Sequence, residues 1–244
     1  MRSRIAAPAT EQRNTKIAVI SPEKNSGASQ QTGSSTMIHA LPGMGADHRM
    51  YPAPWQSLPN FVAHDWVRHT AEKTLADVAR QISETCSIRD GDILVGSSLG
   101  GMVACEITKI REISELYLIG SATHKEEVIR LLANLHPLGR IAPIEWIRFS
   151  AGEIPFELAQ MFAEVDPSFI RAMCAAIFEW DGVSTSQTKI FRIHGKHDLV
   201  IPAPEKVDLL LDGGHLLSMS HAPQCIDFIK ANSKGSITQS EVKL

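Results

Sequence analysis

The stretch DILVGSSLGGMV, from Asp92 to Val103, puts a serine at a cramped corner between two apolar runs. DILVGS predicts a buried strand, and the apolar pattern that follows predicts a helix. A strand that passes directly into a helix crowds the first helical turn, and Gly96 and Gly100 carry no Cβ atom that would clash there. Ser98 would then have a strained backbone, with its hydroxyl above the sheet. The corner is either a plain glycine-softened turn or the site of a nucleophilic serine.

Short apolar runs alternate with helical patterns on both sides of this corner. Thr74 is a plausible N-cap for the helix TLADVARQISETC, and Asp77 stands three residues later, close to a capping box. A final helix is predicted over APQCIDFIKA, at 222–231. Strands that alternate with helices predict an α/β protein with a mostly parallel sheet and helices on both faces. The predicted strands are TMIHAL (36–41), FVAHDWV (61–67), DILVGS (92–97), ELYLIGS (115–121), TKIFRIHG (188–195) and KVDLLLDGG (206–214).

The predicted core is interrupted and extended by segments of different character. Residues 37–123 and 188–234 carry the strand pattern, whereas 124–187 has apolar residues at helical spacing, broken by prolines, and predicts three or four short helices. Residues 1–36 are polar and predict a disordered extension, although KIAVI could add an edge strand. The basic, acid-poor start also allows a transit peptide, but this stretch lacks the apolar core of a secretory signal. A polar tail covers 235–244.

Composition excludes several classes of protein. The 244 residues have a formal net charge of −3, which argues against a general nucleic-acid binder. No apolar run approaches the roughly 18 residues that span a bilayer. The four cysteines are scattered, without a CxxC pair, so they indicate neither a disulfide framework nor a zinc site. Reduced thiols in the cytoplasm are the simplest interpretation, and a small molecule is the expected partner.

A serine hydroxyl needs a base to act as a nucleophile, and a carboxylate to hold that base. Among ten histidines, His215 follows two glycines at the end of a predicted strand. Asp198 lies just past the end of the preceding strand, and ELYLIG is followed by no acid. Because ligand sites of open α/β sheets lie at the carboxyl ends of the strands, Ser98, Asp198 and His215 are the candidate catalytic residues. His39, inside a strand, and His197, in a loop, are interpreted as structural.

With these residues in the order serine, aspartate, histidine, the chain resembles the α/β-hydrolase superfamily of serine hydrolases from Met37 to about Ala231. The resemblance implies an eight-stranded, mostly parallel sheet and a helical cap, here 124–187. It also implies an oxyanion hole with two backbone N–H donors. One comes from the residue after the nucleophile, Leu99. The other comes from the loop after an early strand, where the sequence Pro42-Gly43-Met44 matches the family's pattern and makes Met44 the donor.

The sequence departs from the family's pattern in two places. Pro42 replaces the family's usual histidine in the oxyanion loop. Asp198 and His215 are only seventeen positions apart, so the helix that usually lies between their strands is missing or reduced to a turn. The core therefore resembles a trimmed form of the fold that also lacks its first two strands.

The resemblance implies a serine hydrolase that acts on a small ester, thioester or lactone through an acyl-enzyme, without metal or other cofactor. A serine rather than an aspartate at the corner disfavours dehalogenase and epoxide hydrolase chemistry. Two alternatives stay open at this point. The same residues could serve an acyltransferase or a lyase, or the fold could serve as a binding protein with little turnover.

Overall fold

Six parallel strands form the centre of the computed structural model, which describes residues 35–128, 156–183 and 188–233. Their order across the sheet is β2-β1-β3-β4-β5-β6. The resemblance implied eight strands. The six found in the described ranges agree with the trimmed core that the sequence also suggested. The strands are β1 (Ile38–Leu41), β2 (Phe61–Ala63), β3 (Ile93–Ser97), β4 (Glu115–Ile119), β5 (Lys189–Gly195) and β6 (Leu209–Leu211).

The register aligns the carboxyl ends of the strands at one edge of the sheet. Leu41 of β1 lies opposite Gly96 of β3, and Ser97 lies opposite Ile119 of β4. Gly195, the last residue of β5, lies opposite Leu211 of β6. Residues that follow these strands therefore emerge at the same edge, as expected for the site of an open α/β sheet.

Helices cover both faces of this sheet, as the alternating pattern predicted. The helix predicted over 74–86 is confirmed over Leu75–Thr85. Thr74 caps its amino end, since the Thr74 hydroxyl accepts the Asp77 N–H at 3.1 Å. Two 3₁₀ turns, His48–Met50 and Ala53–Ser57, follow β1. The helices are α1 (Leu75–Thr85), α2 (Leu99–Ile107), α3 (Phe156–Glu164), α4 (Pro167–Phe178), α5 (Leu217–Ser220) and α6 (Ala222–Asn232).

The core has one apolar layer on each face. On one face, Leu94, Leu116 and Leu118 of the sheet pack against α1, α2 and α4. On the other face, Val95 and Tyr117 pack against α6 and the 3₁₀ turns. Because successive strand residues point to opposite faces, the continuous apolar runs of β3 and β4 supply both layers.

Several predicted boundaries shift in the structure. The strand predicted over 61–67 ends at Ala63, because the chain leaves the ladder after the His64 N–H donates to the Ala40 carbonyl. The strand predicted over 206–214 shortens to Leu209–Leu211 at the sheet edge. The connection between β5 and β6, all of it described, contains no helix, which confirms that part of the prediction.

Some sequence predictions lie outside the described residues. KIAVI, the rest of 1–34 and the tail from residue 234 are among them. Of the predicted insertion, 124–128 and 156–183 are described and contain α3 and α4. No helix in the described ranges is long and apolar enough to cross a membrane. All four cysteines are free thiols.

Candidate active site

The corner at Ser98 has the strained geometry that the sequence predicted. The backbone of Ser98 has φ +52° and ψ −120°, between the last residue of β3 and the first residue of α2. Such a conformation costs on the order of 1–3 kcal/mol in a residue with a side chain, and persists only where the surroundings hold it. The Ser98 N–H donates to the Ile119 carbonyl at 3.1 Å, and the Ser98 carbonyl accepts the Ser121 hydroxyl at 2.7 Å.

Two glycines make the tight packing at the corner possible. A Cβ on Gly96 would lie 2.5 Å from the backbone nitrogen of Gly101 in α2. A Cβ on Gly100 would overlap the carbonyl oxygens of Leu41 and Pro42. The helix begins at Leu99, so Gly100 and Gly101 in its first turn lie close against the sheet. This confirms the steric role predicted for Gly96 and Gly100.

Asp198 and His215 form a buried hydrogen-bonded pair. The Oδ2 atom of Asp198 lies 2.8 Å from Nδ1 of His215, and the two side chains are 0% and 7% exposed. The other carboxylate oxygen accepts the N–H groups of Val200 and Ile201, each at 2.9 Å. The carboxylate is thus held at both oxygens, and Oδ2 fixes the orientation of the imidazole ring.

The end of β4 links this pair to the Ser98 corner. Gly120 follows the Ile119 carbonyl that binds the Ser98 N–H, and it has φ +52°. A Cβ on Gly120 would lie 3.2 Å from Oδ2 of Asp198 and 3.3 Å from Nδ1 of His215. No hydrogen bond joins the Ser98 hydroxyl to His215 within the described residues, and such bonds are often long before substrate binds.

The predicted oxyanion donors lie beside the same corner. A Cβ on Gly43 would be 3.5 Å from Cβ of Ser98, so the loop after β1 passes next to the serine. Neither the Met44 N–H nor the Leu99 N–H donates a hydrogen bond to any described residue. Both groups are therefore open to an acceptor, and Leu99 is the first residue of α2, where the helix dipole favours negative charge.

Solved structures with this architecture are esterases and related hydrolases. An esterase from Thermogutta terrifontis has a TM-score of 0.65 at 18% identity, covering 85% of this chain and 92% of its own. Est816, an N-acyl homoserine lactone degrading enzyme, has a TM-score of 0.63 at 16% identity, covering 82% and 94%. YbtT, a type II thioesterase of the yersiniabactin pathway, has a TM-score of 0.54 at 17% identity, covering 85% and 96%.

The chain has the α/β-hydrolase fold. No protein-family model and no curated protein sequence matches it. Within this fold, the segment with α3 and α4 contacts the oxyanion loop. The Cys174 thiol of α4 lies 3.8 Å from the Met44 sulfur, and a Cβ on Gly45 would overlap the Phe162 ring of α3. The surroundings of the Met44 side chain are therefore apolar.

Three residues outside the predicted set contact the segments around Ser98 and Gly43. The Tyr51 hydroxyl lies 2.6 Å from the Leu41 carbonyl and 3.1 Å from the Ser97 hydroxyl, between the oxyanion loop and the corner. The Trp66 indole N–H donates to the Gly43 carbonyl at 3.0 Å, and Ser121 holds Ser98. The sequence contains no local signal for these contacts, because each joins segments distant along the chain.

The histidines interpreted as structural lie in other environments. The Nε2 atom of His39 is 3.2 Å from Asp92, and its Nδ1 is 2.9 Å from His64. Burial lowers the pKa of both rings, that of His64 to about 4, so this chain of imidazoles is neutral near pH 7. Asp92 precedes β3, whereas Ser98 follows it, so the cluster lies toward the opposite end of the strands. His197 is exposed and lies 3.0 Å from Asp212.

In the described part of the chain, a cluster of acidic and histidine side chains and a cavity contain none of the predicted site residues. Asp47, His48 and Asp65 have ligand-type atoms close together, but Asp47 pairs with Arg49 and Asp65 with His48, so the cluster has the character of a surface ion-pair network. A cavity of about 330 Å³ lies beside β5, and none of the predicted site residues lines it. Its lining residues are Thr123, Val183, Ile190, Arg192, Lys206, Val207 and Asp208.

Proposed function

We propose that the chain is a serine hydrolase of small ester-type substrates, with Ser98 as nucleophile, His215 as general base and Asp198 as the residue that orients it. The hydrogen bond between Asp198 and His215, buried at the sheet edge where Ser98 turns, carries the proposal. A buried aspartate that receives the Nδ1–H of the imidazole leaves Nε2 unprotonated and able to accept a proton. The esterases and the thioesterase among the similar structures support the reaction class.

The reaction proceeds in two halves. The His215 Nε2 takes the proton of Ser98 as Oγ attacks the substrate carbonyl carbon, and the carbonyl oxygen becomes an oxyanion. The N–H groups of Met44 and Leu99 stabilise that charge. One such donor typically contributes about 3–4 kcal/mol to lowering the barrier. The tetrahedral intermediate collapses, and the leaving alcohol or thiol departs with the proton from His215.

Water then completes the cycle. His215 takes a proton from a water molecule, whose oxygen attacks the acyl carbon on Ser98. The second intermediate expels the Ser98 oxygen, which regains its proton from His215, and the free acid is released. The acceptor is water and the acid–base groups belong to the chain, so we propose a mechanism without metal or other cofactor.

We propose that 124–187 forms a cap that selects the substrate. Its described part contributes Phe162 and Cys174 to the surroundings of the oxyanion loop. Burial raises the pKa of the Cys174 thiol, so this wall carries no charge at neutral pH. Such a wall favours a small apolar acyl group in an ester, thioester or lactone.

We also propose a cytoplasmic location. The free thiols of the described cysteines support it.

A fluorophosphonate probe tests the nucleophile directly. We expect one covalent adduct on the purified wild-type protein by intact mass, and none on Ser98→Ala. Ser97→Ala is the matched control in the same GSSLG sequence, and we expect it to keep the adduct because the Ser97 side chain is 1% exposed and lies inside the core. A folded wild-type protein that stays unlabelled, also with a smaller sulfonyl fluoride, would contradict the proposal and favour a binding protein.

A further inference from the structure

The peptide unit between Gly43 and Met44 is held by a tryptophan side chain. Its carbonyl oxygen, that of Gly43, accepts the Trp66 indole N–H at 3.0 Å. Its N–H, that of Met44, has no acceptor within the described residues. In a planar trans peptide the C=O and N–H bonds point in opposite directions. A donor that fixes the carbonyl on one side therefore fixes the direction of the Met44 N–H on the other.

This peptide lies beside the candidate nucleophile. A Cβ on Gly43 would contact Cβ of Ser98 at 3.5 Å. The Tyr51 hydroxyl fixes the preceding segment through the Leu41 carbonyl. The direction of the Met44 N–H therefore matters where an oxyanion would form on a substrate bound at Ser98.

We infer that Trp66 is a positioning residue for the oxyanion hole, an inference that rests on the proposed function. Its indole N–H sets the plane of the Gly43–Met44 peptide, and its hydrogen bond polarises that peptide so that the opposite N–H becomes a stronger donor. The Ala46 N–H also binds the Gly43 carbonyl, at 3.2 Å, so removing the indole donor leaves that oxygen partnered. The loss of Trp66 N–H therefore affects orientation and polarisation more than stability.

Helix α4 holds both sides of this arrangement. The Phe169 ring packs on the Trp66 ring with centroids 5.2 Å apart, and the Cys174 thiol contacts the Met44 side chain. Phe169 and Cys174 lie on the same helix, five positions apart. The position of α4 thus sets both the indole that orients the peptide and the side chain of the residue that donates.

The test is Trp66→Phe, which removes the N–H and keeps an aromatic ring against Phe169. Hydrolysis of p-nitrophenyl butyrate is measured per active site, with sites counted by fluorophosphonate labelling. We expect kcat to fall about 10-fold with KM changed less than about 2-fold, a smaller loss than the 10²–10³-fold cost of deleting an oxyanion donor. The Ki of a trifluoromethyl ketone, which binds as an oxyanion, should rise by the same factor.

Tyr117→Phe is the matched control. It removes a buried aromatic O–H that donates to Glu115 at 2.7 Å, at the start of β4 and so at the opposite end of the sheet from Ser98. We expect it to lower the melting temperature and leave kcat per active site unchanged.

If Trp66→Phe folds poorly, incorporation of 3-benzothienylalanine at position 66 removes the same N–H with an almost unchanged shape, and we expect the same kinetic change.

The outcomes separate this inference from the function on which it rests. A wild-type protein that neither labels nor hydrolyses overturns the proposed function and the role of Trp66 together. An active wild type with unchanged kcat and unchanged ketone Ki in both position-66 variants overturns the role of Trp66 alone. An equal loss of kcat in Tyr117→Phe also overturns it, because the effect would then be a general consequence of losing a buried hydrogen bond.

Discussion

The hydroxyl of Ser121 donates a 2.7 Å hydrogen bond to the carbonyl oxygen of Ser98, whose φ is +52°. The same strand end supplies the Ile119 carbonyl that accepts the Ser98 N–H. Both sides of the strained residue are therefore tied to the end of β4. Strain of this kind persists only where neighbouring groups over-determine the backbone, and here β4 provides much of that restraint.

Ser121→Ala should weaken this restraint. We expect a loss of about 1 kcal/mol in the free energy of unfolding, the usual net value of one hydrogen bond. We also expect kcat/KM for ester hydrolysis to fall about 10-fold, because Ser98 is held less firmly at the angle that presents its hydroxyl. The measurements are urea unfolding and steady-state kinetics per labelled site.

Ser233→Ala is the matched control for that change. Ser233 is fully buried, and its hydroxyl donates to the Ile229 carbonyl at 2.6 Å at the far end of α6. We expect a similar loss of stability with unchanged kinetics. Full activity per site in Ser121→Ala would show that the remaining contacts hold Ser98 without the Ser121 hydroxyl.

Asp198→Asn should abolish most activity while the protein stays folded. An amide in place of the carboxylate can present its N–H₂ to Nδ1 of His215, which favours the wrong tautomer and leaves no base facing Ser98. Its oxygen can still accept the N–H groups of Val200 and Ile201, so the loop keeps its shape. We expect kcat to fall about 10⁴-fold, measured with an ester substrate, while circular dichroism stays unchanged.

Asp212→Asn provides a comparison on a second aspartate–histidine pair. Asp212 lies 3.0 Å from His197, but both side chains are more than 70% exposed. Exposed pairs contribute little, so we expect stability and activity to stay at the wild-type level. Equal losses in Asp198→Asn and Asp212→Asn would rule out a special role for the buried pair.

Buried histidines should make the fold sensitive to acid. His194 is 0% exposed, and neither ring nitrogen has a partner within the described residues. Burial lowers its pKa from 6.5 to about 4. Because the unfolded chain binds this proton more readily, stability is fully present above pH 6.5 and is lost as the pH falls toward 4. For this group the loss between pH 7 and pH 4.5 is about 2 kcal/mol.

His194→Leu should therefore flatten the pH dependence of unfolding. We expect the difference in the free energy of unfolding between pH 7 and pH 4.5 to shrink by about 2 kcal/mol. Part of the wild-type dependence should remain, since burial also lowers the pKa of His64 to about 4. His197→Leu, which removes an exposed ring, should behave as the wild type does. An unchanged slope in His194→Leu would mean that His194 does not resist protonation in the folded protein.

The elements around Ser98 were predictable because their causes are local. Strand periodicity, two glycines at fixed positions and an N-cap threonine act within a few residues of one another, and β3, α1 and α2 formed as expected. Asp198 and His215 were selected from strand ends alone. The register of parallel strands then explains why residues distant in sequence meet at one edge.

The supporting contacts were not predictable, because they depend on distant segments. Trp66 was assigned to the end of a strand, yet β2 ends at Ala63 and its indole reaches Gly43, twenty-three positions earlier. Ser121 is the last residue of a predicted strand, and its hydroxyl donates to a carbonyl twenty-three positions earlier. Neither pairing has a periodicity or spacing that propensity could detect.

The direct connection from β5 to β6 has a consequence for engineering. Because no helix intervenes, the proposed acid and base lie on one segment of eighteen residues, within which Asp198 accepts the N–H groups of Val200 and Ile201 and pairs with His215. A chimaera joined anywhere within 124–187 inherits that pair intact. In this α/β-hydrolase fold, the residues before 124 thus carry the proposed nucleophile and oxyanion donors, and the residues after 187 carry the whole of the proposed proton-transfer pair.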